Sequence, residues 1–169
     1  NERRQNENMR GAAVTMYNAM HLARTGLTTS IVAWARVKPA TAAAKDSLAE
    51  MYAVRGFMED FFAEAYCSGV PFSSVAADGS FVYGQPLTTT QMLTTAAASF
   101  DSATTLSTGT NPKYLAAIGK GRALLNQGQF AAAATAVAAN ALARPDASVL
   151  ALLGSGVLAR SHARLLRRV

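Results

Sequence analysis

The chain has 169 residues, which is enough for one domain or for one short array of helices. Half of its residues are hydrophobic and 15% are charged, a composition that excludes a disordered polyelectrolyte. The net charge of +6 comes mostly from residues 144–169, and the nearly neutral remainder lacks the basic face or groove of a nucleic-acid-binding protein.

Three helical segments are predicted before the first glycine-rich and proline-rich stretch. Apolar side chains recur at helical spacing from about Glu7 to Leu27, and the polar residues Thr28–Ser30 are expected to end this first helix. The short apolar run Ile31–Val37 is expected to form a second helix. A third is predicted from about Thr41 to Cys67, and because its apolar residues lie on adjoining faces, we expect it at the centre of the core.

Residues 68–87 are predicted to form one long irregular loop. Gly69, Pro71, the Asp78–Gly79 pair and Pro86 are typical of turns and loops. Within this loop, Phe81–Tyr83 is expected to form a brief extended piece beside the helices.

Four further helices are predicted after the loop. Thr88–Gln91 fits a capping box, in which two side chains accept hydrogen bonds from each other's backbone amides, and the helix that it begins should end near Thr108–Gly109. The next helix is expected to start at Asn111–Pro112, with asparagine as the N-cap and proline in the first helical position. The alanine-rich segment Phe130–Asn140 and a basic segment from Pro145 onward are the last two.

The segment Ala123–Phe130, followed by Ala133 and Ala134, is similar to the middle of a tetratricopeptide repeat. In that motif a glycine permits the sharp turn, an aromatic residue fills the junction, and a small alanine lets the paired helices touch. Gln91–Met92 occupies the matching position of an earlier repeat, at a spacing about four residues longer than the usual ~34. A generic alanine-rich helical bundle is the alternative interpretation.

These elements predict an all-α fold, a tetratricopeptide-like helical repeat array of about six to seven helices interrupted by the loop at residues 68–87. Residues 1–143 are expected to form this repeat domain. Residues 144–169 are expected to form a basic helix that packs on the array or extends it. No stretch reaches the roughly 20 predominantly apolar residues that a transmembrane helix needs, so we expect no membrane span.

A wider resemblance covers roughly residues 41–140. The stretches Ala53–Phe57, Glu64–Phe72 and Tyr83–Thr89, and the region around Tyr114–Phe130, are similar to helices and connecting loops of SusD/RagB-like proteins. Members of this family are bacterial outer-membrane lipoproteins with a tetratricopeptide-like scaffold, and they capture glycans for a TonB-dependent transporter. The resemblance implies a helical-repeat scaffold in an exported bacterial protein, located extracellularly or at the outer-membrane surface, and it carries no ligand residue over to this chain.

Residues that could bind a metal ion or act as nucleophiles are sparse. His21 and His162 lie on separate predicted helices without metal-spaced partners, so we expect neither a metal site nor another cofactor. Cys67 lies at a predicted helix end beside an apolar stripe and is expected to be a packed free thiol.

Asp60 and Glu64 are one helical turn apart and could resemble a catalytic carboxylate pair. We interpret them instead as part of a solvated helix face paired with Arg55, because such pairs are common on exposed helices. Since the sequence shows no pattern typical of a nucleophile, a metal site or a phosphate loop, we expect the protein not to be an enzyme.

Aromatic residues around the loop allow two interpretations. Tyr66, Phe81 and Tyr83 could stack on sugar rings, which would suit a carbohydrate partner. They could equally be hydrophobic plugs that hold a long loop against the helices.

Serine and threonine are concentrated between Thr88 and Thr110. In an exported protein such density permits O-linked glycans, and a polar helix face is the alternative interpretation. The candidate acceptor residues are Thr94, Thr95, Thr104, Thr105, Thr108 and Thr110.

The two ends of the predicted array lack polar caps, which favours contact with other protein chains. We predict a non-catalytic scaffold that assembles end to end into a filament with a Ser/Thr-rich, O-glycosylated surface, its partners being other copies of itself or another protein. The alternative is a SusD-like glycan-binding component of an outer-membrane uptake system. The candidate assembly residues are Met9, Met16, Met20, Leu152, Leu153 and Val157.

Overall fold

The computed structural model describes residues 2–76 and 78–142, and most of them are helical. The predicted all-α class is confirmed at this level, with little strand. Five helices and four short strands occupy the described residues: α1 Glu2–Val37, α2 Ala42–Ala65, β1 Val70–Pro71, β2 Ser74–Val75, β3 Phe81–Val82, β4 Pro86–Leu87, α3 Thr89–Leu106, α4 Thr110–Asn126 and α5 Phe130–Leu142. Each helix packs against the next, and α2 also contacts α4.

Helix α1 is continuous, so the predicted break at Thr28–Ser30 is wrong. The hydroxyls of Thr28 and Thr29 donate to the carbonyls one turn earlier, at 2.9 and 3.0 Å. Because these hydroxyls find acceptors within the helix, the two threonines do not end it. Ile31 is buried, which ties the second half of α1 to the core. The helix ends where Lys38 adopts a left-handed conformation (φ 50°) before Pro39.

Helix α2 agrees with the predicted third helix to within two residues at each end. The side chain of Thr41 caps it by accepting a hydrogen bond from the Ala44 amide at 3.2 Å. The helix ends at Ala65, and Tyr66 is already extended. Cys67 therefore lies beyond the helix and is exposed, so the prediction of a packed thiol is wrong.

Residues 70–76 and 78–87, within the predicted irregular loop, contain two short antiparallel strand pairs, which we call the β-ribbon. Val70 and Pro71 pair antiparallel with Leu87 and Pro86, and β2 pairs antiparallel with β3 nearer the tip. The Asp78 carboxylate closes the tip by accepting from the amide and the hydroxyl of Ser80, at 2.9 and 2.7 Å. The predicted extended piece is confirmed at Phe81–Val82.

The capping box that begins α3 is confirmed. The Gln91 amide donates to the Thr88 hydroxyl at 3.2 Å, and the Thr88 amide donates to the Gln91 side chain at 2.8 Å. Helix α4 begins earlier than predicted, with Gly109 rather than Asn111 at the cap position.

Asp46 on α2 holds the segment that leads into this helix. Its Oδ1 accepts from the amides of Thr108 and Gly109 at 2.6 and 2.9 Å, the two residues that precede the first helical position. The same hydrogen bonds lower the pKa of Asp46.

The core consists of two clusters. The first joins α2, α3 and α4 and places one ring, Phe100, among buried alanines; its members are Ala53, Ala96, Phe100, Ala103, Ala116 and Ala123. The second joins α1, α2, α3 and the β-ribbon; its buried members are Phe62, Ala63, Val70, Met92 and Leu93.

The outcome for the repeat interpretation is mixed. Gly128 turns the chain between α4 and α5 with φ 75°, and Ala133 is buried at the contact. Phe130, however, is 41% exposed and does not fill the junction as the repeat motif predicts. The tetratricopeptide architecture stays a prediction, and the predicted helix within residues 144–169 lies outside the described residues.

Candidate functional site

A buried carboxylate, Glu59, connects three helices. Its Oε1 lies 3.1 Å from Nε of Arg24 on α1, and the hydroxyl of Ser99 on α3 donates to its Oε2 at 2.6 Å. Arg55, one turn earlier on α2, lies 3.7 Å from Glu59 and donates to the same Ser99 hydroxyl. A buried charge is tolerated when such partners replace water, so this network holds α1, α2 and α3 in register.

Arg24 also attaches the β-ribbon to α1. Its Nη1 donates to the Ser73 carbonyl at 2.8 Å, and its guanidinium carbon lies 4.2 Å from the centre of the Phe72 ring. Across the ribbon, the Gly84 amide donates to the Ser73 hydroxyl at 3.2 Å. A Cβ at Gly84 would lie 2.6 Å from the Phe72 carbonyl oxygen, so the two sides of the ribbon approach as closely as glycine allows. The ribbon is thereby fixed on the helices.

His21 packs beside this network against two aromatic rings. Its centroid lies 4.4 Å from that of Tyr17 and 4.5 Å from that of Phe62. Burial, and secondly the charge of Arg24, lowers the pKa of His21, so the imidazole is neutral at physiological pH. Within residues 2–76 and 78–142, no group of three or more His, Cys, Asp or Glu side chains is arranged to hold a metal ion.

The predicted sugar-stacking residues separate into two places. Phe81 and Tyr83 are 72% and 81% exposed on the β-ribbon, with the half-exposed Val82 between them. Tyr66 lies instead in the contact between α1 and α2, where its hydroxyl donates to the Ala13 carbonyl at 2.9 Å and its ring lies 5.1 Å from that of Tyr17. Tyr66 is therefore engaged in packing, and the structure does not bring it together with the other two.

A shallow groove of about 270 Å³ runs between α1 and the tip of the β-ribbon. Its lining is mainly apolar, with Arg36 and Asp78 as the charged groups, and consists of Thr29, Val32, Ala33, Arg36, Val75, Ala76, Asp78 and Gly79. The Asp78 carboxylate is already bound by Ser80, which lowers its pKa.

A second polar cluster joins α2 to α4. Arg122 binds the Glu64 carboxylate through two hydrogen bonds of 2.9 and 2.6 Å, and its Nε lies 3.1 Å from Oδ2 of Asp60. The Asn126 side chain donates to both carboxylates, at 3.1 Å to Asp60 and 2.7 Å to Glu64. The predicted solvated face paired with Arg55 is wrong, because the Asp60 side chain is 1% exposed and its partners come from α4.

The side of α1 that faces away from the other elements carries no charge between residues 11 and 33. The one charged residue in this range, Arg24, points into the core. We call this surface the α1 outer face; its exposed members recur at helical spacing and are Gly11, Ala12, Thr15, Ala19, Leu22, Ala23 and Gly26. Leu22 is 78% exposed and is its largest apolar side chain.

Helix α5 presents a comparable surface at the other end of the packing order. No charged residue occurs between Phe130 and Leu142. Ala133 is buried against α4. A Cβ added to Gly121 of α4 would lie 2.7 Å from a methyl carbon of Val137, so the two helices are in close contact there. The exposed residues on the opposite side, the α5 outer face, are Phe130, Ala131, Ala132 and Thr135.

The predicted assembly residues fare differently from one another. Met16 is 47% exposed, whereas Met20 packs inward against the second core cluster, so its assignment to an exposed surface is wrong. The helical stripe that contains Met20 is the one that faces α2. The side chain of Met9 and all of Leu152, Leu153 and Val157 lie outside what the structure describes.

Most candidate threonines use their hydroxyls locally. Those of Thr94, Thr95, Thr104 and Thr105 donate to carbonyls one helical turn earlier, at 2.8 to 3.0 Å. The Thr108 hydroxyl donates to Asp46 at 3.0 Å, and Thr110 is exposed at the start of α4. A glycan attached to one of these hydroxyls would replace its hydrogen and so break the hydrogen bond that it donates. O-glycosylation stays a prediction.

Comparison with protein-family models, with curated proteins and with solved structures gives no match. The resemblance to SusD/RagB-like proteins therefore stays a prediction. Among the described helices, none is both long enough and apolar enough to cross a membrane.

Proposed function

We propose that the protein is a non-catalytic helical scaffold that acts through contacts with other protein chains and assembles end to end through the α1 and α5 outer faces. The observation that carries this proposal is the absence of charge from both faces within the described residues. Soluble helical arrays need polar terminal surfaces, and an uncharged surface at each end favours burial against another chain.

The two faces consist of different residues and lie at opposite ends of the packing order, which runs from α1 through α2, α3 and α4 to α5. Contact between two different faces is heterologous, and when the rotation between copies does not close a ring, it produces a filament. The small side chains on both faces suit close approach of helices. The charged groups of both buried clusters bind one another, which supports a structural rather than a catalytic role.

Under the same proposal the protein is located outside the cell or on the outer-membrane surface, and the Ser/Thr-rich α3 carries O-linked glycans. The support for this part is the family resemblance and the density of hydroxyls on exposed α3 positions. An intact mass above the sequence mass, measured on protein from its natural source, would support glycosylation. A mass equal to the sequence mass would contradict it.

The assembly proposal predicts that Leu22→Lys weakens self-association at least about tenfold, because a lysine on the α1 outer face would be buried without a partner at the junction. Val37→Lys is the matched control, since Val37 is 80% exposed on the same helix but lies beyond the outer face. Light scattering across micromolar concentrations measures both variants. A wild-type chain that stays monomeric throughout would contradict the proposal.

A mixing experiment separates end-to-end contact from symmetric pairing. We expect Ala132→Lys on the α5 outer face to prevent filament growth as Leu22→Lys does. In an equimolar mixture, Leu22→Lys keeps an intact α5 outer face and Ala132→Lys keeps an intact α1 outer face. These two faces can still bind each other, so dimers should form without longer species. A symmetric α1 interface would instead leave Ala132→Lys fully associated, and that result would overturn the end-to-end geometry.

Glycan binding is the second candidate function, favoured by the exposure of Phe81 and Tyr83 on an anchored ribbon. Aromatic faces held in place in this way can stack on sugar rings. We expect calorimetry with a glycan panel to detect binding that Phe81→Ala or Tyr83→Ala abolishes. Phe130→Ala, which removes an exposed aromatic ring elsewhere, should leave binding unchanged, and no heat with any glycan would refute this function.

A further inference from the structure

The cluster between α2 and α4 contains two carboxylates that share one guanidinium. Both hydrogen bonds of Arg122 go to Glu64, and Nε is near Asp60 Oδ2 without forming a hydrogen bond to it. Asn126 donates to the other oxygen, Oδ1. Oδ2 of Asp60 is therefore a buried oxygen that accepts no hydrogen bond within the described part of the chain.

No further cation faces Asp60 from the described elements around it. Its own helix contributes Glu64, and α4 contributes Arg122 and Asn126. The charged residue of α3, Asp101, is paired with Lys120, while Arg24 of α1 is bound to Glu59, and α5 has no charged residue. With both carboxyl groups ionised, the cluster holds two negative charges and one positive charge. One of the negative charges is that of Asp60, whose side chain is 1% exposed.

A proton on Asp60 relieves this imbalance. It removes the excess charge and turns an unsatisfied acceptor into a donor, for which Glu64 is the adjacent acceptor. The bond to Asn126 at Oδ1 can stay in place, so the protonated cluster satisfies more of its polar atoms than the ionised one.

We propose that Asp60 is the proton-binding residue of an acid-responsive clamp, which holds α2 and α4 together most tightly in mildly acidic surroundings. Burial, the largest effect, raises the pKa of Asp60 to about 6 from an ordinary value of 3.8, and the neighbouring Glu64 raises it further against the opposing influence of Asn126 and Arg122. Between these two values the folded chain holds the proton and the unfolded chain does not. The free energy of unfolding therefore rises as the pH falls from about 6 toward 3.8.

Other groups act in the opposite direction and must be separated from this effect. The lowered pKa of His21 means that acidification below 6.5 favours the unfolded chain. The lowered pKa values of Glu64 and Asp46 do the same below about 4.5 and 3.8. The difference between the chain and an Asp60→Asn variant cancels these contributions.

The experiment measures denaturant unfolding of the full chain and of Asp60→Asn at pH 7.5 and pH 4.5. Relative to the variant, we expect the folding equilibrium constant of the wild-type chain to increase on the order of 30-fold at the lower pH. Asp78→Asn is the matched control, because it removes an exposed carboxylate and should retain the wild-type change over this range. Equal pH profiles for the wild-type chain and Asp60→Asn would overturn the proposal.

A second measurement does not depend on the folding of the variant. Carboxyl-carbon NMR on the unmodified chain follows the titration of Asp60 directly, and a midpoint near 6 is expected. In Glu64→Gln, the midpoint should fall because a neighbouring negative charge is removed and Arg122 is released to Asp60. A wild-type midpoint below about 4.5 would refute the clamp whatever the stability data show.

Discussion

Glu59→Ala is expected to reduce the free energy of unfolding by about 3–5 kcal/mol, because it leaves a buried arginine without its counter-ion. Arg24 is 6% exposed, and Glu59 is its ion-pair partner within the described residues. The hydroxyl of Ser99 loses its acceptor in the same variant. Urea unfolding monitored by circular dichroism measures the loss.

Glu50→Ala is the matched control for this prediction. Glu50 is an exposed acidic residue on the same helix, and its replacement should change the free energy of unfolding by no more than about 0.5 kcal/mol. Hydrogen exchange gives an independent signal: since Arg24 also holds the ribbon at Ser73, ribbon amides should lose protection in Glu59→Ala. A loss of stability below about 1 kcal/mol would show that the network does not hold the three helices together.

Gly119→Ala is expected to cost about 3 kcal/mol, because a Cβ at this position would overlap the ring of Phe100. Phe100 is fully buried, and a Cβ at Gly56 of α2 would lie 2.9 Å from the same edge of the ring. The ring therefore lies close to the backbones of both α2 and α4, and a side chain added at either glycine would displace it. Thermal unfolding of the variant measures the cost.

Gly26→Ala is the control, since Gly26 is a helical glycine of α1 and a Cβ added there would meet no atom of another element within 4 Å. Alanine there should stabilise the chain by about 0.5–1 kcal/mol through helix propensity alone. Opposite signs for the two glycine variants are the expected result. In the double variant Gly119→Ala, Phe100→Leu, the smaller side chain should recover part of the loss, and the absence of any recovery would contradict the steric explanation.

Local signals predicted the helical elements well where their hydrogen bonds are local. The capping box at Thr88–Gln91 and the bounds of α2 follow from neighbouring residues, and both are confirmed. The break predicted at Thr28–Ser30 failed because threonine hydroxyls can bond within a helix as readily as they end one. The cap of α4 lies at Gly109, whose amide is bound by Asp46, a residue that is far away in the sequence and invisible to a local pattern.

The charged sites were harder to predict for the same reason. Asp60 looks like a solvated residue on α2 until α4 brings Arg122 and Asn126 against it. The sequence offers one indication of the Glu59 network, namely the one-turn spacing between Arg55 and Glu59. The same spacing is common on exposed helices, so it does not predict a buried ion pair. The exposure of Phe81 and Tyr83 depends on how the ribbon is anchored by Arg24, which no local pattern encodes.

The alanine-lined core of the first cluster has a consequence for how this fold distributes its stability. Burying alanine costs no side-chain rotamer entropy, but each alanine also removes little apolar area from water. Among the described residues, the largest fully buried side chains are Phe62, Phe100, Met92, Glu59, Asp60 and Ser99, of which three are polar. Truncation of Phe62, Phe100 or Met92 should therefore cost far more stability than truncation of any single core alanine.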